Sequence, residues 1–175
     1  MPTNPITKPT LLFSYPNGNA RFATTWEHTI KSSKPTQTIG RKVKRATADY
    51  VNELRANSPV ASGRLKRGWQ HYTEVKRVSN GIRLFIRINN RAKNSYFRIV
   101  GRAPGKVPPI KPLTTWCRHK RLPPSVAYAI SKRIARDGTE RYRTGQNIVG
   151  INPKTHTYNS DGSLIRFLLR LVNSL

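Results

Sequence analysis

Hydrophobic positions between residues 36 and 57 recur with a helical period. Their spacings of four, three, four and four residues place them on one face of a helix of about 20 residues. The residues are Ile39, Val43, Ala46, Tyr50 and Leu54. The helix is expected to begin near Ser33 or Thr36, whose side chains accept hydrogen bonds from free backbone N–H groups. It is expected to end before Ser58-Pro59, because proline disfavours helical geometry in the residue that precedes it.

A β-hairpin is predicted after this helix. The run 69–78 is separated by Ser79-Asn80-Gly81 from a second run, in which aliphatic residues from Ile82 to Ile88 alternate with Arg83, Phe85 and Arg87. Asn-Gly between two strand-like runs is a strong hairpin signal. The second strand is expected to bury its Ile and Leu face and to expose arginines on the other. A third short strand is predicted from Tyr96 to Val100, closed by Gly101.

The remaining segments carry weaker patterns. Residues 1–35 are rich in Pro, Thr, Asn and Ser, with a turn signal at residues 15–18, and they predict an extended arm or a short hairpin. Four prolines predict an extended loop from Gly101 to Pro112. A short helix from Leu113 follows, and then a second helix that Ser125 is expected to cap and Gly138 to end. An irregular stretch, 139–162, and an amphipathic helix, 163–175, complete the chain.

These elements define an α+β fold. A long N-terminal helix packs on a small antiparallel sheet, further helices lie toward the C-terminus, and an extended N-terminal arm precedes a single domain at 36–175. The chain has 175 residues, which is the size of one ordinary domain. The segment 164–175 is too short and too charged to cross a bilayer. The prolines of the first 19 residues do not fit a signal peptide.

The positive charge of the chain predicts the kind of partner that it binds. There are 33 Lys and Arg against 7 Asp and Glu, a net charge of +26. The segment 58–124 holds 16 of the basic residues and one acid, Glu74. Such a field attracts polyanions and repels itself, so it predicts an anionic partner, with nucleic acid favoured over an acidic neighbouring protein. Seven residues of this segment are candidates to face DNA phosphates. They are Arg64, Lys66, Arg67, Arg83, Arg87, Arg91 and Lys93.

Candidate catalytic and metal-binding chemistry is sparse. Asp49 and Glu53 share a helix face, but Arg45 lies four residues before Asp49, so a solvated ion pair is the better interpretation. The four histidines have no metal-ligand spacing, and Cys117 is the single cysteine. Neither a disulfide nor a cysteine-zinc cluster is therefore expected, and a reducing compartment is favoured. We expect no catalytic residues, no metal and no cofactor.

The aromatic residues of the basic region have two interpretations. Trp69, Tyr72, Phe85, Tyr96 and Phe97 are interleaved with basic residues, as base-stacking surfaces are. They also occupy positions where strands need core and cross-strand partners. Packing is the favoured interpretation for most of them, because no aromatic motif of an RNA-recognition sheet is present.

Four sequence segments follow one another in a recognisable order. They are Ser58-Pro-Val-Ala-Ser-Gly-Arg-Leu-Lys-Arg-Gly-Trp69, Tyr96-Phe-Arg-Ile-Val-Gly-Arg-Ala-Pro-Gly-Lys-Val-Pro-Pro109, Leu113-Thr-Thr-Trp-Cys117 and Ala127-Tyr-Ala-Ile-Ser-Lys-Arg-Ile-Ala-Arg-Asp-Gly-Thr139. Over roughly residues 36–140, their order resembles that of the neck or tail-completion proteins of tailed double-stranded DNA bacteriophages. The chain departs from the family at Ala61-Ser62, where Asp-Thr is common, and it lacks the glutamate often found before the glycine matching Gly101.

The resemblance implies a structural virion protein rather than an enzyme. It implies a homo-oligomeric ring of sixfold-related symmetry at the head-tail junction, made in the bacterial cytoplasm. Adjacent connector and tail proteins would be its neighbours, and DNA would pass through its channel without sequence-specific contacts. The positive charge is also consistent with an alternative. This is a ribosome-associated protein, or another RNA- or DNA-binding protein without sequence preference. A phage endonuclease is a third class, and it requires a carboxylate or histidine cluster that the sequence does not assemble.

The proline-rich segment has a candidate role of its own. Prolines lower the entropy that an extended segment loses on docking, and basic residues give the segment charge. The candidate docking residues are Arg102, Lys106, Pro108, Pro109 and Lys111. A rigid connector between the strands and the Trp116 helix is the competing interpretation.

Overall fold

A computed structural model describes residues 7, 9–14, 21–59 and 63–175. The strands are β1 (Thr10–Ser14), β2 (Arg21–Ile30), β3 (Trp69–Val78), β4 (Gly81–Asn90), β5 (Ile151–Asn152) and β6 (Thr157–Tyr158). The helices are α1 (Thr36–Ala56), α2 (Arg64–Arg67), α3 (Ser95–Val100), α4 (Ile110–His119), α5 (Val126–Asp137), α6 (Glu140–Thr144) and α7 (Ser163–Ser174). The mixture of helix and sheet confirms the predicted α+β class.

The main sheet is antiparallel, with strand order β1-β2-β4-β3. The β3–β4 hairpin was predicted, and Val78 pairs with Gly81 across the turn. Gly81 has a φ of +144°, and a Cβ there would lie 2.2 Å from the carbonyl oxygen of Ile30. The turn therefore requires glycine for two reasons, the backbone conformation and the close approach of the end of β2.

Residues 21–30 correct the predicted arm. They form β2, an internal strand between β1 and β4, so the interpretation of the whole segment 1–35 as an arm is wrong. β1 and β2 pair as an antiparallel hairpin, which was the other interpretation. The turn signal at 15–18 lies outside the described residues. The strand was missed because its buried face mixes Phe22 and Trp26 with Thr24 and His28, and the two polar residues hide the alternation.

The core lies between the inner face of the sheet and helices α1 and α7. The inner face consists of even-numbered β4 residues from Ile82 to Ile88, which are almost fully buried. α1 packs on β3 and β4 through the predicted stripe, with Ala46 half-buried at its edge. α7 packs on α1, where the Tyr50 and Phe167 rings stack with centroids 4.6 Å apart. Each large apolar side chain buried there stabilises the fold by about 1.5–3 kcal/mol.

The predicted third strand is wrong, because residues 95–100 form helix α3. Tyr96, Ile99 and Val100 are buried at spacings of three and one, a helical pattern that outweighs their strand propensity. The Ser95 hydroxyl accepts a hydrogen bond from the Phe22 N–H and donates one to the Asn90 carbonyl. The helix is thus fixed to the ends of β2 and β4. Gly101 ends it at a φ of +100°.

The segments after Gly101 differ from expectation in three places. The proline-rich loop stops at Pro109, since α4 begins at Ile110 and takes Pro112 into its first turn, where the missing N–H has no helical partner to lose. Ser125 occupies the N-cap position of α5, but its side chain makes no capping hydrogen bond. The stretch 139–162 contains α6 and the β5–β6 pair rather than irregular backbone alone. α7 matches the predicted terminal helix, and Gly138 ends α5 as predicted.

Candidate nucleic-acid interface

The outer face of the sheet carries the arginines of β4. Because directly opposed residues of antiparallel strands share a face, the odd-numbered residues of β4 lie beside Thr25, Glu27 and Thr29 of β2. On the other side they lie beside Gln70, Tyr72, Glu74 and Lys76 of β3. Arg83 and Arg87 are exposed there, as the alternation predicted, and Phe85 between them is half-buried.

The two arginines of β4 have different surroundings. Arg83 lies 3.3 Å from a Glu27 carboxylate oxygen, and the neighbouring Lys76 lies 2.5 Å from Glu74. Arg87 is four residues further along, about 14 Å at the usual rise of a strand. It is flanked by Thr25 and Tyr72 instead of carboxylates. The outer face is therefore neutralised at the Arg83 end and positive at the Arg87 end.

Helix α2 is fixed against the positive end of the sheet by a buried asparagine. The Asn90 side-chain amide donates to the Leu65 carbonyl at 2.9 Å, and its Oδ1 accepts from the Ala92 N–H at 3.0 Å. The Arg91 N–H donates to the Gly68 carbonyl at 2.9 Å. A Cβ on Gly68 would lie 2.4 Å from Asn90 Oδ1, so this contact requires glycine. The basic residues of α2 and those after β4 are brought to one end of the molecule by this contact.

Four arginines line one open groove at that end. They are Arg55, Arg67, Arg87 and Arg91, called the arginine groove here. Trp69, Gln70, His71, Tyr72, Phe85 and Asn89 complete the lining, so none of the residues found lining it is acidic. Arg55 is held in place by hydrogen bonds from its guanidinium to the Trp69 carbonyl and to Asn52 Oδ1, each 3.0 Å long. An arrangement of fixed and exposed guanidinium groups is suited to phosphate oxygens.

The pKa of His71 depends on its burial and on the positive charge around it. Partial burial, and then the positive charges of Arg55 and Lys44, lower the pKa of His71 below its ordinary value. A phosphate in the groove would oppose the two charges and raise this pKa again.

The predicted DNA-facing residues are brought together only in part. Arg67, Arg87 and Arg91 meet in the groove, while Arg64, Lys66 and Lys93 are exposed nearby on α2 and after β4. Arg83 lies away from them beside Glu27. Arg55 was missed, because it belongs to α1 and not to the strongly basic middle segment. Its position in the last turn of the predicted helix, shortly before the segment carrying Arg64 and Arg67, was the available signal.

The candidate docking residues have mixed surroundings. Pro108 is buried, and its carbonyl accepts a hydrogen bond from the Ser131 hydroxyl at 3.3 Å. Arg102 is held by Thr139, whose hydroxyl accepts from its N–H at 2.8 Å. Lys106, Pro109 and Lys111 are exposed. The segment 101–109 thus packs along α5 and positions α4 against it.

The aromatic residues of the basic region divide between packing and exposure. Trp69 and Tyr96 are buried, and the Trp69 indole N–H donates to the Ser58 hydroxyl at 2.8 Å. Tyr72 is 55% exposed, and its ring lies edge-on to Phe85 with centroids 6.1 Å apart. Phe97 is also exposed. Packing therefore accounts for Trp69 and Tyr96, whereas the ring of Tyr72 is exposed beside Arg87.

The other groups considered for chemistry are dispersed. The four histidines lie on β2, on β3, at the end of α4 and between β5 and β6. Within the described ranges, no group of three or more His, Cys, Asp or Glu side chains is arranged to hold a metal ion. Asp49 and Glu53 are exposed on α1. No helix in the described part of the chain has both the length and the apolar character needed to cross a membrane.

Comparison with known proteins gives no relative. No family model, no curated protein and no solved structure matches the chain.

Proposed function

We propose that the protein is a structural subunit of the head-to-tail connector of a tailed double-stranded DNA bacteriophage. In this proposal its copies form a ring of sixfold-related symmetry in the neck or at the completed tail, and the arginine groove meets the phosphates of DNA in the channel. The order of sequence motifs supports the class of protein. The groove supports the contact with DNA.

The single observation that carries the DNA contact is the absence of acidic residues from the lining found for the groove. Carboxylates elsewhere on the same sheet face neutralise Arg83 and Lys76, whereas the side chains that line the groove include four arginines and no acidic residue. Phosphate contacts position a protein on a duplex without reading its sequence. A channel protein needs this kind of contact, because DNA of any sequence must pass.

Duplex binding at increasing salt tests the contact with DNA. Fluorescence anisotropy on two unrelated duplexes of about 30 base pairs should give equal affinities, and log K should fall with log salt with a slope of roughly −0.9 per phosphate contact. The triple variant Arg67→Gln/Arg87→Gln/Arg91→Gln should flatten that slope by up to about 2.7. It should also abolish the DNA-induced rise in the pKa of His71, measured by NMR.

A matched control removes the same charge elsewhere. The variant Arg118→Gln/Lys120→Gln/Arg121→Asn, at the end of α4, should retain the wild-type slope. Equal losses in the two triple variants would mean that net charge alone binds DNA, and strong preference for one duplex sequence would contradict a channel contact.

A single-stranded nucleic acid is the second candidate ligand, favoured by one observation. Tyr72 presents an exposed ring beside Arg87, and base stacking on such a ring is worth about 1–3 kcal/mol per base. This is the surface that a ribosome-associated protein, or another RNA- or DNA-binding protein without sequence preference, would use. Tighter binding of single-stranded RNA than of duplex, lost in Tyr72→Ala, would favour that function over the connector.

A further inference from the structure

Helices α4 and α5 form a helical hairpin, residues 110–137, that buries little of its apolar surface. The buried residues of the two helices are Cys117, Ala127 and Ser131. The loop 101–109 joins it to the body, with the Gly105 N–H donating to the Ala135 carbonyl at 2.8 Å. Large apolar side chains remain exposed on the helical hairpin and just before it. They are Val107, Ile110, Trp116, Leu122, Val126 and Tyr128.

The turn between the two helices has a defined geometry. The N–H groups of Arg121 and Leu122 donate to the carbonyls of Arg118 and Cys117 at 3.1 and 2.8 Å, which is the Schellman pattern. Arg121 has a φ of +57° at the position where glycine is usual. Pro123 and Pro124 follow. The hydrogen bonds and the prolines preorganise the turn, and preorganisation lowers the entropy lost on binding.

Residues 116–126, called the tip here, combine apolar anchors with positive charge. The anchors are Trp116, Leu122 and Val126, each more than a third exposed. Arg118, Lys120 and Arg121 lie among them and are exposed. Trp and Arg are the residues that dominate protein–protein interfaces. A phosphate-rich ligand would attract the positive charges, but it would not bury the apolar anchors.

Charge complementarity identifies the chemistry of the partner. Residues 101–138 contain nine Lys and Arg and one acid, Asp137. Asp137 is already paired, since Arg136 lies 2.8 Å away and holds the pKa of Asp137 below its usual value. A second copy of the same tip would bring like charges together. An acidic surface removes that repulsion.

We infer that the tip docks into an acidic surface of a different protein that offers an apolar pocket for Trp116 and Leu122. This inference rests on the proposed function only in identifying that protein as a neighbouring connector or tail component. The surface involved is separate from the arginine groove, so the two are testable apart.

A peptide of defined chemistry tests the inference with the full-length protein. The probe is a synthetic helix of about 20 residues with leucines on one face and glutamates on the other. Trp116 reports binding, because the other two tryptophans, Trp26 and Trp69, are buried. Binding should protect Trp116 from acrylamide quenching. A scrambled peptide of equal composition and an all-glutamate peptide are the controls.

Two variants separate the contributions. Leu122→Ala should weaken binding of the amphipathic peptide about tenfold, the effect of losing one anchor worth about 1.4 kcal/mol. Arg118→Gln/Lys120→Gln/Arg121→Asn should weaken it further and make it less sensitive to salt, and Asn suits the left-handed conformation at residue 121. Both variants should retain the wild-type circular dichroism and duplex affinity.

Four results would overturn the inference. The first is equal binding of the three peptides, which shows charge attraction alone, and the second is no binding of any. The third is loss of duplex affinity in the tip variant, which makes nucleic acid the occupant. The fourth is loss of self-association in that variant, which makes a second copy the occupant. If no peptide binds the tip but the groove binds duplex as predicted, the proposed function is unaffected. If the groove does not bind duplex but the tip binds the amphipathic peptide, the inference about the tip is unaffected.

Discussion

The sheet body and the helical hairpin use their apolar residues in opposite ways. The body, formed by β1–β4, α1 and α7, encloses most of the buried apolar side chains in one cluster. Among the residues that the structure describes, the helical hairpin and its approach hold most of the exposed large apolar side chains. The helices of the two regions nevertheless have comparable amphipathic patterns in sequence. Apolar periodicity thus indicates which residues form a helix face, but it does not distinguish a face that packs internally from one left for a partner.

The largest expected effect is on stability, and it comes from making the same leucine-to-alanine substitution in each of the two regions. Leu84 on the inner face of β4 is fully buried, and Leu122 at the tip is 38% exposed. Leu84→Ala should lower the free energy of unfolding by about 2–5 kcal/mol, because it removes buried methyl groups and leaves a cavity. Leu122→Ala should cost less than about 1 kcal/mol. Chemical denaturation measures both, and equal losses would show that the tip belongs to the core.

An intermediate effect comes from a titratable group in the body. His28 is buried on the inner face of β2 and stacks on Trp26 with ring centroids 5.3 Å apart. Burial lowers its pKa below the ordinary value of 6.5. The unfolded chain therefore binds the proton more readily, so stability is full above about pH 6.5 and falls as the pH drops below it.

Replacing His28 isolates that contribution. The free energy of unfolding, measured from pH 7.5 to 5 at constant ionic strength, should depend less on pH in His28→Gln than in the wild type. The tip variant Arg118→Gln/Lys120→Gln/Arg121→Asn should follow the wild-type dependence, because it leaves the surroundings of His28 unchanged. An unchanged pH dependence in His28→Gln would show that this histidine is not the group responsible.

The smallest expected effect lies in the turn of the helical hairpin. Arg121 holds a left-handed conformation that costs an ordinary residue about 1 kcal/mol. Arg121→Gly should relieve that cost and raise the stability of the α4–α5 region by up to about 1 kcal/mol, seen as slower amide exchange at the end of α4. It should also weaken binding of the acidic amphipathic peptide. Faster exchange would contradict the assigned turn geometry.

The elements that followed from sequence are those with one regular period and a clear boundary. α1 has an apolar stripe that ends before Ser58-Pro59, and in the β3–β4 hairpin the Asn80-Gly81 turn is followed by the alternating residues of β4 from Ile82 to Ile88. β2 was missed because its core face includes threonine and histidine. α3 was missed because β-branched and aromatic residues hide a helix that is one and a half turns long.

The candidate site was predictable in charge but not in arrangement. The sequence identifies a basic segment, and Arg67, Arg87 and Arg91 belong to it. That Arg83 is neutralised depends on the register of β4 against β2, which places Glu27 opposite Phe85 and diagonal to Arg83. The place of β2 inside the sheet was not foreseen. That Arg55 joins the groove depends on how α1 ends beside Trp69. Both facts arise from tertiary pairing, which local patterns do not encode.

The connector proposal is tested most directly by imaging the assembly that the protein forms with DNA. Electron microscopy of the purified protein mixed with linear duplex, with native mass spectrometry of the same sample, should reveal closed rings of sixfold-related symmetry encircling the duplex. Heterologous contacts close into a ring when the rotation from one copy to the next divides a full turn, as sixfold-related symmetry requires. In the Arg67→Gln/Arg87→Gln/Arg91→Gln variant the rings should persist without DNA inside. Monomers scattered along the duplex, or open filaments in place of rings, would contradict the proposal.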